Sequence, residues 1–459
     1  MSTAVSSLAI GQSVDVDDMT ASVTDIAARA RRAGRCVAAA PPEARRDALL
    51  RIAGALDDSA EEILAANAVD AADARAAVAR GEMSVALLHR LEIDARKLDE
   101  MIAGIRAVAA LDDPVGRALR HTRLDDGLEL QQVASPIGVV AAIFEARPDA
   151  MTQIAALALR SGNAAILKAG SEATNTARAL AGAIHRALDG DVHVPPDTIA
   201  LVEGREAVDV LLGLPEYIDL VVPRGSKALV RSIQTRTRIP VLGHAEGVCH
   251  VYIDAAADTT MAIDIVVDAK VQYPAACNAV EVVLVHRDAA AVVPLLVDRL
   301  LAHGVTIAAC VRCRSLAPGR PLDLSTEADW RTEFGELRFA LRLVDDLPAA
   351  VTHVNEHGSH QTDAIVTADP AAATYFLAHV DSASVMHNAS TRFADGFRYG
   401  LGAEVGVSTG KLHARGPVGL DGLMSARWLL RGSGQVVATY SGAVARPFRH
   451  ERIEGGGGP

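Results

Sequence analysis

Aromatic residues and excess positive charge are both scarce in this sequence, and each scarcity excludes a class of partner. Phe, Trp and Tyr make up 3% of the 459 residues, too few for the stacked platforms on which single-stranded nucleic acids bind. The formal net charge is -12, so the chain offers no basic surface for a phosphate backbone or an anionic membrane. Nucleic acid is therefore not expected as a partner.

Cysteines and long apolar runs are also scarce. The five cysteines are dispersed through a long chain, unlike the dense disulfide framework of a small secreted domain: Cys36, Cys249, Cys277, Cys310 and Cys313. No apolar run reaches the roughly 18 residues of a membrane span, and the first twenty residues lack a basic, apolar signal segment. We expect a soluble cytoplasmic protein without a membrane partner.

What the sequence does contain is a long Ala-rich chain, of which 50% is hydrophobic. The length predicts two to three domains. Apolar residues recur at helical spacing from Thr20 to Ala110, which predicts a helical N-terminal layer. Asp126-Gly127 lies between two alternating runs and predicts a β-hairpin over residues 119–134.

From Pro136 onwards, buried strands and helices alternate, and this pattern predicts a doubly wound parallel sheet. The predicted strands are GVVAAIF, NAAILK, Ile199–Val202, IDLVV and Pro240–Leu242, with helices between them. A second α/β stretch runs from about 246 to 420, with strands such as HVYID, AVEVVLVH and DAIVTAD. The last segment, QVVATYSGAVARPF, alternates like a strand, a pattern compatible with pairing to the hairpin either within one chain or between chains.

Cys277 is the first candidate for chemistry, because it lies in a Pro-bearing loop directly before a strongly apolar segment. A thiolate is a competent nucleophile when its surroundings are electropositive. The alternative is a small buried hydrophobic residue. Position alone does not decide between the two.

Two strand ends carry candidate ligand-binding residues. Lys168 ends a buried strand at the carboxyl edge of the predicted sheet, where α/β sheets bind ligands. Only five of the 45 basic residues are lysines, which favours a chemical role such as binding ribose or phosphate over a merely solvated lysine. Gly225 and Ser226 open a helix whose N–H groups suit a pyrophosphate, although Ser226 is also an ordinary N-cap.

Two further motifs are set aside. The loop from Gly400 to Gly406 has one residue too many for a dinucleotide fingerprint and is interpreted as a close-packed loop. Cys310 and Cys313 have the spacing of half a zinc site, but no second Cys/His pair of fitting spacing lies nearby. No metal site is expected.

Taken together, the motifs resemble the aldehyde dehydrogenase superfamily and, within it, the gamma-glutamyl phosphate reductases. The resemblance runs from about residue 22 to about residue 440. Its most specific stretches are ASPIGVVAAIFEARPDA, ILKAGSEA, VVPRGSKALV, GVCHVYID, CNAVEVVLVH, HVNEHGSHQTDAIVT and NASTRFADGFRYGLGAEVGVSTGKLHARGPVGL.

The resemblance implies an NADPH-linked reduction of gamma-glutamyl phosphate to glutamate 5-semialdehyde, with release of phosphate, in proline biosynthesis. In such an enzyme Cys277 is the nucleophile, and hydride from the nicotinamide reduces its thioester. The residues that the resemblance implies for NADP(H) are Lys168 and Glu172 at the adenosine ribose, Gly225 and Ser226 at the pyrophosphate, and Glu333 at the nicotinamide ribose.

The sequence departs from hydrolytic aldehyde dehydrogenases at two places. The turn that carries their oxyanion-binding Asn is replaced by Phe144–Pro148, so the backbone N–H of Cys277 or the side chain of Asn278 becomes the candidate donor. Their general-base stretch is also absent, and Glu246 is the remaining candidate base. Three arginines are candidates for holding phosphate or the substrate carboxylate, or for structural ion pairs: Arg147, Arg392 and Arg415.

We therefore expect an aldehyde dehydrogenase-like α/β protein. Its predicted parts are an NADP-binding domain (20–118 and 137–245), a catalytic domain (246–425), an oligomerisation arm (119–136 and 426–450) and disordered tails (1–18 and 454–459). The expected partners are the acyl phosphate, further copies of the chain and a glutamate kinase that hands over the substrate. The alternatives are an ordinary or CoA-acylating semialdehyde dehydrogenase, and a catalytically silent relative that acts as a binding subunit.

Overall fold

A computed structural model describes residues 16–243 and 246–453. The tails predicted at 1–18 and 454–459 lie outside these ranges, apart from residues 16–18, which belong to the first helix. Across the two ranges, no helix is both long and apolar enough to cross a membrane.

The chain begins with a helical layer, as its 3.6-residue periodicity predicts. Its helices are α1 (Val16–Ala39), α2 (Pro42–Asp58), α3 (Ala60–Ala79), α4 (Val85–Leu91) and α5 (Ala95–Ala110). Helix α2 starts at Pro42, where a missing backbone N–H costs nothing. The side chains of Ser84 and Asp94 accept backbone N–H bonds at the starts of α4 and α5.

Two strands follow the helices and form the predicted hairpin. They are β1 (Ala118–Asp125) and β2 (Leu128–Pro136), and Asp126-Gly127 makes the turn between them. The pairing is antiparallel, with Thr122 opposite Leu130 and Asp125 opposite Leu128.

The next segment forms a parallel sheet of order β5-β4-β3-β6 with helices on both faces. Its elements are β3 (Val139–Phe144), α6 (Pro148–Arg160), β4 (Ala164–Ala169), α7 (Thr174–Leu188), β5 (Ile199–Leu201), α8 (Glu206–Leu212), β6 (Leu220–Arg224) and α9 (Lys227–Arg236). Alternate residues of β3 enter two different apolar cores: Val140 packs with α2, α6 and α7, whereas Val139 packs with α1 and α8. Both faces are therefore buried, which explains why the strands of this sheet are apolar without interruption.

A second, larger parallel sheet has the order β10-β9-β11-β8-β7-β12-β13. Its elements are β7 (Cys249–Ile253), α10 (Thr259–Val271), β8 (Val280–His286), α11 (Val292–Ala302), β9 (Thr306–Ala309), α12 (Val311–Leu316), β10 (Asp323–Leu324), β11 (Arg338–Val344), α13 (Leu347–His357), β12 (Thr362–Val366), α14 (Pro370–His379) and β13 (Ser384–His387). Apolar cores again cover both faces of the sheet. The prediction of two α/β units with parallel sheets is confirmed.

The chain ends in short strands and an arm sheet. These strands are β14 (Val407–Ser408), β15 (Gly416–Pro417), β16 (Met424–Arg431) and β17 (Glu451–Arg452). The arm sheet has the order β16-β2-β1-β17 and is antiparallel throughout. Strand β16 pairs with β2 along its whole length, from Met424 opposite Pro136 to Arg431 opposite Glu129.

Two strand predictions were wrong. The segment QVVATYSGAVARPF forms no strand: it holds a 3₁₀ turn at Val437–Tyr440, and β16, which lies earlier, occupies the edge beside β2. Residues 240–242 form only an isolated bridge between Val221 and Val241. In both places the local alternation was real, but neighbouring strands decided where backbone pairing was available.

Candidate active site

The candidate site lies where the two parallel sheets approach each other. The first sheet contributes its carboxyl edge, with Arg224 at the end of β6. The second contributes its amino edge, where the loop 272–279 carries Cys277 into β8. The charge of Arg224 interacts with that of Cys277, which places the ends of the two sheets within electrostatic reach of each other.

Close backbone packing fixes the position of Cys277. A Cβ on Gly247 would lie 1.9 Å from the carbonyl oxygen of Cys277, so only glycine allows this approach. The buried thiol of Cys249 also donates to that oxygen, at 3.4 Å. The thiol of Cys277 itself is partly exposed.

Two guanidinium groups lie within electrostatic reach of Cys277, those of Arg224 and Arg392. Burial lowers the pKa of both groups, but an arginine remains protonated in a protein. The Nε of Arg392 donates to Oε1 of Gln272 at 2.9 Å, and this bond fixes the guanidinium beside the loop. Two nearby cations stabilise the thiolate form, which is the nucleophilic form of cysteine.

Asn278, the candidate oxyanion donor, is buried and uses its amide in the fold. Its Nδ2 donates to the carbonyl oxygen of Ala394 at 2.8 Å. Its Oδ1 is buried and has no hydrogen-bond partner within the described ranges. In this arrangement Asn278 ties the loop to residue 394.

Four of the five predicted cofactor residues lie at the carboxyl edge of the first sheet: Lys168, Glu172, Gly225 and Ser226. Lys168 is the penultimate residue of β4, and burial lowers the pKa of its ammonium group, while the carboxylates of Glu172 and Glu145 act in the opposite direction. Oε1 of Glu172 accepts the backbone N–H of Ala146 at 2.5 Å. One cation and two carboxylates therefore line one edge, a set that suits ribose hydroxyls and a phosphate.

Gly225 and Ser226 form the turn between β6 and α9, as the motif predicts. The hydroxyl of Ser226 accepts the N–H of Leu229, which makes it an N-cap. Its own backbone N–H donates to Oε2 of Glu145 at 2.8 Å. A carboxylate thus rests at the positive end of α9, where the sequence predicts a pyrophosphate.

Glu333 and Glu246 lie beside the Cys277 loop but differ in their surroundings. Oε2 of Glu333 accepts the N–H of Gly247 at 3.0 Å, which places Glu333 directly behind the loop. Glu246 is paired with the ammonium of Lys227 and with Arg231. Two cations on one carboxylate weaken it as a base.

The other two candidate arginines differ in their contacts. Arg147 occupies the N-cap position of α6 without a capping hydrogen bond, and its charge adds to the effect of burial in lowering the pKa of Arg224. Arg415 pairs with the carboxylate of Asp381 at 3.0 Å and donates to its backbone oxygen at 2.9 Å. Arg415 is therefore held by its ion pair, whereas Arg147 lies within electrostatic reach of Arg224.

The two motifs that were set aside lie in different places. A Cβ on Gly406 would lie 3.2 Å from the side chain of Arg224, and Arg224 also reaches the backbone oxygen of Glu404, so this glycine-rich loop packs against the site. Cys310 caps the short helix α12, and Cys313 is buried beneath it. Over the part of the chain that the structure describes, no group of three or more His, Cys, Asp or Glu side chains is arranged to hold a metal ion.

Sequence reasoning missed Glu145 and Arg224. Glu145 lies in the motif FEARP and Arg224 in VVPRGSK, but the predicted site residues of these motifs were Arg147, Gly225 and Ser226. The available signal was position, because both residues end strands of a parallel sheet at its ligand-binding edge.

Comparisons with known proteins decide the family. Residues 12–306 match the aldehyde dehydrogenase family. The chain is 50% identical over 432 residues to the gamma-glutamyl phosphate reductase of Cyanothece sp., covering 94% of this chain and 98% of that protein. With the same enzyme of Natronomonas pharaonis it shares 50% identity over 414 residues, covering 90% and 94%. The chain belongs to the gamma-glutamyl phosphate reductases.

A solved structure of a family member has the same fold. The gamma-glutamyl phosphate reductase of Thermotoga maritima superposes with a TM-score of 0.86 at 35% identity, covering 90% of this chain and 99% of that one. The family resemblance and the aldehyde dehydrogenase-like α/β fold inferred from the sequence are both confirmed. In this family member Arg224 ends a strand of the first sheet and lies within electrostatic reach of Cys277, which precedes a strand of the second sheet.

We predict that Gly247→Ala disables the site. The added methyl group would overlap the Cys277 carbonyl and push the loop away, and a displacement of about 1 Å at a reacting group costs roughly 100-fold in rate. Gly54→Ala is the matched control, because nothing lies within 4 Å of its added Cβ. Steady-state turnover of both variants, with circular dichroism to verify folding, tests this. Equal turnover in the two would contradict the packing argument.

Proposed function

We propose that this protein reduces gamma-glutamyl 5-phosphate to glutamate 5-semialdehyde with release of phosphate, using NADPH, in proline biosynthesis. The observation that carries the proposal is the setting of Cys277: a partly exposed thiol within electrostatic reach of Arg224 and Arg392, at the junction of two sheets. Membership of the gamma-glutamyl phosphate reductases supports the substrate.

The two nearby arginines favour attack by Cys277 on an acyl phosphate. The thiolate attacks the acyl carbon, and the phosphate leaves as an anion, so both the nucleophile and the leaving group are negative. Arg224 and Arg392 stabilise both charges. The product on the protein is a thioester of Cys277.

The first sheet's carboxyl edge fits NADP(H). Lys168 and Glu172 are placed for the adenosine ribose and its 2′-phosphate, and the start of α9 at Ser226 already binds the carboxylate of Glu145. Glu145 must leave that N–H when a phosphate takes its place. When bound, the cofactor supplies the hydride that reduces the thioester.

The surroundings of Glu246 favour a phosphate-linked over a hydrolytic reaction. Hydrolysis of a thioester needs a base that activates water. Glu246 is the candidate, but Lys227 and Arg231 hold its carboxylate. A thioester formed here is therefore protected from water until the hydride arrives.

We propose that the segments have the separate binding, catalytic and subunit-contact functions that the sequence predicts. Residues 20–118 and 137–245 bind NADP(H), residues 246–425 carry the nucleophile, and residues 119–136 and 426–450 join subunits into a homo-oligomer. Strand β16 supports the last point, because it is a sheet edge whose Trp428 and Leu430 are 51% and 60% exposed. Delivery of the acyl phosphate by a glutamate kinase stays a prediction.

The reverse reaction tests the chemistry. Glutamate 5-semialdehyde and NADP, followed by nicotinamide absorbance, should give turnover only when phosphate is present. Cys277→Ala should lose roughly 1000-fold or more, because no other nucleophile replaces the thiol. Cys36→Ala, which removes an exposed cysteine from α1, should behave as the wild type.

Each other outcome has a distinct meaning. Turnover without phosphate would contradict the phosphate-linked reaction and favour a hydrolytic enzyme. Turnover that needs coenzyme A would indicate an acylating dehydrogenase. A folded wild-type protein without any turnover would contradict the proposed function and favour a silent relative.

Lys168→Met tests the cofactor edge. A charged hydrogen bond to phosphate contributes about 1.5–3 kcal/mol, so KM for NADP should rise roughly tenfold or more while KM for NAD changes little. Arg96→Met is the control, because it removes a cation that is 86% exposed on α5. Equal effects on both cofactors would argue against a 2′-phosphate contact.

Leu430→Asp tests the arm. A charge on the exposed edge strand should break a subunit contact, and sedimentation velocity should then show smaller particles than in the wild type. Val192→Asp is the control, because Val192 is 81% exposed on a loop far along the chain from the arm. An unchanged sedimentation coefficient for Leu430→Asp would exclude this face as the subunit contact.

A further inference from the structure

A fully buried ion pair connects the two ends of the loop that carries Cys277. Lys270 is the penultimate residue of α10, and Glu281 is the second residue of β8. Nζ of Lys270 lies 2.7 Å from Oε2 of Glu281, and neither side chain has any exposed surface. Loop 272–279 therefore starts and ends at the same salt bridge.

The pair continues into the contacts behind the Cys277 carbonyl. Oε1 of Glu281 accepts the N–H of Gly335 at 3.3 Å. Two residues earlier, Glu333 accepts the N–H of Gly247, and Gly247 packs against Cys277. Contacts thus connect the ion pair to Cys277 through residues 333–335, which precede β11, and through Gly247.

Stability alone does not explain a buried ion pair. Removing two charges from water costs several kcal/mol per ion, and replacing such a pair by apolar residues is often neutral or stabilising. Here burial lowers the pKa of Lys270 and raises the pKa of Glu281 to about 7, so each charge depends on its partner. The ion pair instead provides geometric specificity, because a charged hydrogen bond fixes the relative position of two side chains more narrowly than an apolar contact does.

We propose that Lys270 and Glu281 are positioning residues that clamp loop 272–279 and so hold the thiol of Cys277 within electrostatic reach of Arg224 and Arg392. Neither residue contacts the reacting atoms. Their effect on turnover rests on the proposed function, whereas their effect on the reactivity of the thiol does not.

The double variant Lys270→Met/Glu281→Leu tests the clamp without leaving a lone buried charge. It keeps side-chain volume, so the fold should persist. The rate constant for alkylation of Cys277 by iodoacetamide at neutral pH, measured by peptide mass spectrometry, should fall at least tenfold, since the thiol loses its fixed place near the guanidinium groups. Iodoacetamide is uncharged, so the reagent itself is not steered by the arginines.

The same variant should separate kcat from KM. We expect kcat of the phosphate-dependent reverse reaction to fall roughly 10- to 100-fold, because misplacing a reacting group by about 1 Å has an effect of this size. KM for NADP should change much less than kcat, because the predicted cofactor residues other than Glu333 belong to the other sheet. If the ion pair only stabilised the fold, the folded variant would show no selective loss of kcat relative to KM.

The control is a second buried charge cluster, in which Asp113 pairs with Arg45 at 2.9 Å and with Arg160 at 3.4 Å. The triple variant Arg45→Met/Asp113→Leu/Arg160→Met removes all three charges, so it too leaves no lone buried charge, and it should leave alkylation and kcat unchanged. Equal losses in this variant and in Lys270→Met/Glu281→Leu, or unchanged alkylation in the latter, would overturn the clamp. A wild type without phosphate-dependent turnover would instead overturn the proposed function, with alkylation still testing the clamp.

Discussion

The contact between the Cys277 carbonyl and the Cα of Gly247 is the constraint on which the rest of the site depends. It brings the segment before β7 against the loop before β8, so that two amino ends of one sheet are locked together at the nucleophile. Cys249 and Glu333 complete this packing with hydrogen bonds to the Cys277 oxygen and the Gly247 nitrogen. The thiol consequently starts from one fixed backbone position, which reduces the conformational freedom that must be lost before attack.

The direction of the strands in the two sheets also matters for the site. Cys277 stands at the amino edge of its own sheet but faces the carboxyl edge of the other, where a parallel sheet binds nucleotides. A nucleophile and a cofactor held on opposite walls can approach one reacting carbon from two sides. Arg224 ends a strand of the first sheet and Arg392 lies in the 3₁₀ turn Thr391–Phe393 after the second sheet, so the cationic setting of the thiol depends on both units. Chemistry is thus coupled to the relative position of the two sheets.

The cofactor edge is preorganised by carboxylates on backbone N–H groups. Glu145 lies on Ser226 and Glu172 lies on Ala146, and each satisfies a donor that would otherwise be left at the cleft. The carboxylate of Glu145 occupies the position at the start of α9 that a bound phosphate would take, so this position already accommodates a negative charge. The same arrangement keeps Lys168 compensated while it is partly buried. Binding of a phosphate then exchanges one anion for another rather than creating a new charge.

Much of this was determined by the sequence itself. Apolar periodicity specifies the helical layer and both parallel sheets, because local burial patterns follow the period of each element. The family resemblance, not loop position alone, made Cys277 the proposed nucleophile. Tertiary structure decided the rest. It put β16 rather than the segment around Val437–Tyr440 beside the hairpin, and it engaged the amide of Asn278 in the fold. It also joined Lys270 to Glu281, because pairing across sheets and loops depends on distances that no local pattern encodes.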